Sequence, residues 1–407
     1  MGFLHVLGWL LLPLGILTVL RTVVVTVLAL VQARSERRTS GRADPFRGPV
    51  TVIVAAYNEE ANIAATLTSL LASDYPDFEV VVVDDGSTDA TADILAGFAG
   101  RVTVLRQPNG GKASALTNGL RRARHDVIVM VDGDTVFEPT TLAALVAPMS
   151  DPTVGAVAGN TKVANRRGML GRWQHLEYVI GMNLDRRMFQ LLDCMPTVPG
   201  AVGAFRREAL AEVRGVPTRT LAEDTDLTMA INLSGWRVVY AGDAIAWTEA
   251  PSDIRALARQ RFRWCYGTMQ AMWAHRRSIR PAGGTGSGHV GSRGIPYLVM
   301  FQVVQPFIAP VIDLYLIYAL IFLDFRSALI VWGGLTALQL LSAWVALRLD
   351  GESTRSLWAL PTTQFVYRQL LYVVVLQSVA SALSGSRLRR HQPPRTGAAA
   401  RQMAGTA

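Results

Sequence analysis

The stretch VIVMVDGDTVFE, residues 127–138, decides the fold. Its apolar run, 127–131, reads as a short strand buried on both faces. The run stops at two carboxylates, Asp132 and Asp134, one glycine apart. In an open α/β sheet, ligands gather at the carboxyl ends of strands, so these acids are expected to face a crevice. Two hard oxygen donors there suit a divalent cation holding a diphosphate. An ordinary strand-to-turn Asp-Gly is the simpler alternative.

Upstream the same pattern repeats. VTVIVAAYNEE opens with a strand, 50–55, and breaks into a polar loop; VVVVDD is a second strand, 80–83; VTVL, 102–105, is a third. Residues 62–72, 88–98 and 112–124 carry helical periods between them. Strands alternating with helices of this length mean a mostly parallel sheet with helical crossovers, of the nucleotide-binding, Rossmann-like type. Roughly 220 residues of such pattern are ample for one core.

Downstream, residues 167–192 read as a long amphipathic helix bearing Leu170, Trp173, Ile180, Leu184 and Met188. A glycine-rich turn, VPGAVGAFRRE, leads to LAEDTDLTMAINL, whose acids stand at a helix start, where the helix dipole favours them. Residues 252–274 form a second amphipathic helix, with a stripe through Ile254, Ala258, Phe262, Cys265, Met269 and Met272 that can face the sheet or a lipid surface.

The composition places this domain in a membrane context. Half of the 407 residues are hydrophobic, and mean hydropathy is +0.26. The apolar residues collect at the two ends. Residues 3–31 are almost wholly apolar, without the charged start and short core of a cleaved signal peptide. Residues 295–323, 327–347 and 365–383 are the carboxyl-terminal candidates, the first interrupted by prolines and Asp313 and the last by Arg368. The net charge of +9 sits mostly in 34–47, 276–293 and 387–395, beside these segments. Such clusters mark the cytoplasmic side and argue against nucleic acid as the partner. Three crossings after a cytoplasmic domain would leave the last cluster outside, so either 365–383 lies in the interface or 295–323 turns back. Cys194 and Cys265 are isolated, with neither a disulfide framework nor zinc spacing, which fits a reducing cytosol.

The chain therefore divides into a membrane segment (1–33), a cytosolic α/β domain (48–250), an interfacial helix (251–280), a basic glycine-rich loop (281–294), a membrane region (295–385) and a basic disordered tail (386–407). In it, AAYNEE, VVVVDDGSTDAT, MVDGDTVFE, GAFRREAL, AEDTDL and QRFRW, in this order, resemble the family-2 glycosyltransferases. More narrowly they resemble the processive membrane synthases of cellulose, chitin, hyaluronan and poly-N-acetylglucosamine, with AEDTDL and QRFRWCYG most like the last branch. The similarity covers about residues 49–264. A lone D-x-D is weak; D-x-D, then E-D, then Q-x-x-R-W is specific.

The resemblance implies a GT-A-like α/β domain inserted between transmembrane helices, and a multi-pass protein of the plasma (inner) membrane with its catalytic domain in the cytoplasm. It implies transfer, with inversion, from a UDP-sugar, N-acetylglucosamine first, to a growing β-linked polysaccharide that is exported. Asp85 would meet uracil or ribose beside Ala56, Tyr57 and Glu59. Lys112 would meet the diphosphate or brace its loop, with a solvated helix-start lysine as the plain alternative. Asp132 would touch ribose or metal, and Asp134 would hold Mg2+ or Mn2+. Asp224 would be the general base, positioned by Glu223, whereas Asp226 reads as a structural helix-start acid. Gln260, Arg263 and Trp264 share a helix face. Arginine there would clamp pyrophosphate and tryptophan would give a platform for the acceptor sugar; an interfacial helix with a snorkelling arginine is the alternative. Val198, Pro199, Gly200 and Gly203 would lie near the acceptor.

Two other readings stay open. One is a non-processive transferase acting on a lipid acceptor; the other is a transporter subunit with a degenerate domain, against which all the acids are present. The few apolar segments leave room for a small membrane subunit or a homo-oligomer to complete a polymer channel.

Overall fold

The computed structural model describes residues 2–39, 44–279, 289–322 and 325–384. The tail 386–407 and most of the loop 281–294 lie outside the described residues.

Eight strands form one sheet: β1 (Val50–Ala56), β2 (Phe78–Asp84), β3 (Thr103–Arg106), β4 (Val127–Asp132), β5 (Val136–Phe137), β6 (Val154–Val163), β7 (Gly203–Arg206) and β8 (Arg237–Thr248). Their order is β3-β2-β1-β4-β7-β6-β8-β5. The first four strands pair in parallel, as the alternating pattern requires. β7 enters antiparallel between β4 and β6, β6 and β8 are parallel, and β5 closes the far edge antiparallel to β8. The sheet is mixed because β7, which follows the long helical stretch Gly168–Leu191 and the glycine-rich turn, runs against both of its neighbours.

The unbroken apolar runs follow from burial on both faces. Ile53, Val81, Val83, Ile128 and Met130 join one core; Val52, Val54, Val80, Val82, Val129 and Val131 join the other. The second core lies under the crossover helices Ile63–Leu71 and Thr141–Val146. The first continues into Val25 and Ala29 of the first helix and Ala346 and Leu347 of a later one. The α/β domain and the apolar helices thus share one core.

Leu11–Arg38, Val290–Phe322 and Phe325–Leu349 are long and apolar enough to cross a membrane. Thr354–Thr363 and Tyr367–Leu383 form a pair bent by 57° at the break between them. Val290–Phe322 runs on without turning back, with wider π turns over Val290–Gly294 and Val299–Val304. Pro296 and Pro306 each follow such a stretch; proline cannot donate to the helical ladder, and the wider turns absorb the defect.

Buried polar ties reinforce the shared core. Arg166 grips Glu352 with both terminal nitrogens (2.7 and 2.9 Å), and Lys162 reaches the same carboxylate at 3.0 Å. Asn160 and Asn183 donate to Asp350 at 2.7 and 3.2 Å. Burial opposes the charge on Glu352, but the Arg166 fork and Lys162 outweigh it and hold the carboxyl down to about 2. Removing that carboxylate leaves two cations facing each other with little water. Glu352→Ala is therefore expected to cost about 3–5 kcal/mol, read as a lowered thermal midpoint of the detergent-solubilised protein; an unchanged midpoint would show that the tie carries no stability.

Candidate active site

The site is built from the carboxyl ends of β1, β2 and β4. After β1 the chain turns at Asn58, whose φ of 53° is left-handed, and its side chain accepts from the Thr88 amide at 2.8 Å. The Glu59 amide donates to Thr91 at 2.8 Å. The first two strand-end loops are therefore stitched together. Gly133 lets the D-G-D turn approach them: a Cβ there would stand 3.2 Å from the Ala55 carbonyl and 3.0 Å from the Glu59 side chain. From the other side, Thr66 donates to the Gly133 carbonyl at 2.9 Å.

Asp85 faces this crevice but already has three partners in the chain. It accepts from the Gln107 amide group and from the Gly110 and Gly111 backbone amides, each at 2.8 Å. Gly111 caps the Lys112–Arg122 helix with a φ of 84°, a region that only glycine enters cheaply. Asp85 thus holds the loop that starts this helix, and the helix delivers Lys112. The Lys112 ammonium pairs with Asp132 and lies 3.9 Å from Glu223, against Gly200.

Glu223 and Asp224 open the Glu223–Leu233 helix. Burial raises the Asp224 pKa, the neighbouring Glu223 adds to the rise, and Lys112 opposes it. Asp226 behaves differently. It is fully buried and receives Arg219 at 2.7 and 2.6 Å and His275 at 2.8 Å. Burial resists its charge, but these contacts prevail and hold it near about 2. Asp226 is a structural tie between its own helix and the end of Ile254–Ala274.

That last helix starts at Asp253, which accepts from the Ala256 amide at 2.9 Å. Within this helix Arg261, buried to 5 % exposure, bonds Gln260 and Glu177 and lies 4.2 Å from the centre of the Trp264 ring. Tyr178 stands 6.3 Å from that ring.

One cavity of about 910 Å³ collects these groups. Ala56, Tyr57, Glu59, Asp85, Lys112, Asp132, Asp134, Pro199, Gly200, Glu223, Asp224, Gln260, Arg263 and Trp264 all line it. Val198 and Gly203 do not. Val198 is wholly buried with its amide on Thr228 (2.8 Å), and Gly203 pairs with Met130 inside the sheet. The wall also holds Glu177, Tyr178, Arg261 and Glu249, which the sequence reading passed over. Arg261 sits inside Q-x-x-R-W as an unread position, and Glu177 and Tyr178 lie on the long helix read only for its apolar stripe.

Asp134, 2 % exposed, lines the cavity, and Asp132 is paired there with Lys112. Among the described residues no group of three or more His, Cys, Asp or Glu converges on one point. A hard cation held by these two carboxylates would take its other oxygens from water and from a phosphorylated ligand.

Comparison with known proteins places this architecture. A family profile described as glycosyltransferase-like family 2 matches residues 47–267. The poly-beta-1,6-N-acetyl-D-glucosamine synthases of Staphylococcus aureus (strain COL) and Staphylococcus epidermidis are 31% and 30% identical over 222 residues, 54% of this chain and 54% of each relative. The chain spans about half the length of the curated relatives it matches. A mannosyltransferase from Pyrobaculum calidifontis, solved in complex with GDP-Man and Mn2+, has the same fold, with a TM-score of 0.62 at 21% identity over 92% of this chain and 100% of that one. Because the family match covers more than half of the chain, from before β1 into the helix that carries Gln260, Arg263 and Trp264, the chain belongs to glycosyltransferase-like family 2.

Proposed function

We propose that the protein is a membrane-embedded hexosyltransferase that moves a sugar, N-acetylglucosamine first among candidates, from a UDP-sugar to the end of a growing β-linked polysaccharide, with inversion and with export of the product. The observation that carries this reading is the reach of one cavity. It passes from Tyr57 and Asp85, past Asp224 and Trp264, to Asp313, Gln339 and Arg368 on the apolar helices. A wall bearing carboxylates at one end and amides and an ion pair further on suits a hydroxyl-rich chain. The relatives named as poly-beta-1,6-N-acetyl-D-glucosamine synthases support the choice of sugar.

In this reading Ala56, Tyr57 and Glu59 receive the nucleotide base, and Asp85 keeps the Gly110–Gly111 loop beneath it. Lys112, Gln260 and Arg263 meet the diphosphate. Asp134, with Asp132, would hold Mg2+ or Mn2+, in keeping with the mannosyltransferase solved with GDP-Man and Mn2+; such a cation, when bound, offsets charge on the departing diphosphate. Asp224 takes the proton from the acceptor hydroxyl as that oxygen attacks the anomeric carbon, and the UDP oxygen leaves from the opposite face. One base suffices for inversion. Glu223 raises the basicity of Asp224 through like-charge repulsion. Trp264, Pro199 and Gly200 seat the acceptor. The basic residues beside the apolar segments favour a cytoplasmic side for the catalytic domain of a multi-pass protein.

The detergent-solubilised protein with Mg2+ or Mn2+ and labelled UDP-N-acetylglucosamine is expected to release UDP and build a β-linked polymer resolvable by mass spectrometry. Turnover of a different sugar nucleotide alone would refute the donor assignment, and single-sugar products would refute processivity. Asp224→Asn is expected to lower transfer by about 10²–10⁴-fold while UDP affinity, followed by calorimetry, stays near wild type. Activity requires Asp224 ionised, and its pKa is raised, so the acid limb of kcat/KM should lie above the usual aspartate range of about 3.9. An acid limb at or below that range would remove Asp224 from the role of base.

A further inference from the structure

Arg261 is a buried cation on the cavity wall whose surroundings the transfer step leaves unused. Its Nε donates to both Glu177 oxygens, at 3.0 and 3.1 Å, and a terminal nitrogen bonds the same carboxylate. The Tyr367 hydroxyl donates to that carboxylate as well. The guanidinium carbon lies 4.2 Å from the centre of the Trp264 ring and 5.9 Å from that of Tyr178, and the guanidinium also bonds the Gln260 side-chain oxygen. One charged group therefore touches two members of the site's helix face.

The far ends of this cluster are special points of the fold. Glu177 begins a π-helical stretch, Glu177–Asn183, within the long helix. The wider turn is what brings Glu177, Tyr178, Gly181 and Met182 together onto the cavity wall. Tyr367 is the first residue of Tyr367–Leu383, just past the 57° break. Its ring packs 5.8 Å from Trp173, which itself donates to Thr362 at 2.9 Å on the other side of that break. The hydroxyl of Tyr367 thus joins the bend in the last helix to the arginine under Trp264.

We propose that Arg261, seated by Glu177 and Tyr367, is a positioning residue that fixes the plane of Trp264 and ties the acceptor platform to the bend before Tyr367–Leu383, so that loosening this tie shortens the chain the protein makes. The link to chain length rests on the polymer reading above; the fixing of Trp264 does not. Charge-assisted bonds in a site poor in water are strong and directional, which suits a part that must hold a ring at one angle. Tyr367→Phe keeps the ring against Trp173 and deletes only the hydroxyl, and Glu177→Gln keeps the shape while removing the charge.

The protein and both variants can be compared by hydroxyl-radical footprinting at Trp264, read by peptide mass spectrometry, alongside product length from UDP-N-acetylglucosamine. Trp236, bonded to Glu212 at 2.7 Å well away from the cluster, is the reference for general loosening. The expected result is a roughly twofold or greater rise in Trp264 modification with Trp236 unchanged, and a shift to shorter products in both variants. Unchanged Trp264 modification in both variants would overturn the proposal whatever the substrate. A parallel rise at Trp236 would reduce the cluster to a structural role and overturn it equally. Raised Trp264 modification with unaltered product length would overturn the link to chain length. A wild-type protein that makes no polymer would overturn the functional reading instead, while the footprint still decides whether Arg261 fixes Trp264.

Discussion

The structure depends on gathering carboxylates where there is little water. Asp132, Asp134, Glu223 and Asp224 share one cavity wall, and Lys112 stands among them, paired with Asp132 and 3.9 Å from Glu223. At an effective dielectric near 20, two like charges 4 Å apart repel by about 4 kcal/mol, so the position of that ammonium matters. It is set remotely. Asp85 holds the Gly110 and Gly111 amides, these fix the start of the Lys112–Arg122 helix, and the helix presents the lysine. Burial raises the pKa of Asp224, Glu223 adds to the rise, and the placed lysine offsets part of it. Its ionised form costs the fold stability at neutral pH and relieves that cost as pH falls, a sign opposite to that of the paired Asp226 and Glu352.

The second constraint is the docking of the GT-A-like domain on the apolar helices. One face of the sheet carries an ordinary crossover layer, and the other shares its core with Val25, Ala29, Ala346 and Leu347. Asp350 and Glu352, directly after Phe325–Leu349, are gripped by Asn160, Lys162 and Arg166 from β6 and the residues just after it. Arg187 on the long helix reaches Gln32 and Glu36 of the first one, at 2.8 and 3.1 Å. A cavity that reaches the apolar helices needs those helices at a fixed distance, and these buried ties supply it.

Much of this was legible in the residues because the signals were local. Uninterrupted valine runs ending in Asp or Asn-Glu can only be buried strands with polar carboxyl ends, and their spacing forces parallel pairing. The strands β5, β6, β7 and β8 were not legible in the same way. β7 has four residues from a glycine-rich turn, and β6 mixes Gly, Asn, Thr and Lys with its valines, of which Asn160 bonds across to Asp350 and Lys162 to Glu352. Val198 and Gly203 sat in a motif whose glycines suggest ligand approach, yet Gly203 is needed inside the sheet, where a Cβ would meet Val198 at 2.6 Å.

By itself the sequence determined the α/β class, the parallel half of the sheet, the apolar ends and the acids at the strand ends, since periodicity and burial act over a few residues. Only the tertiary structure decided which of those acids meet: Asp226 turned to Arg219 and His275, Asp224 stayed on the cavity wall, and Asp85 became the brace of a loop. It also decided that Arg261, an unremarked residue between Gln260 and Arg263, lies under Trp264 with Glu177 and Tyr367 as its seat. Those partners are 84 and 106 residues away along the chain, a separation that no local pattern encodes.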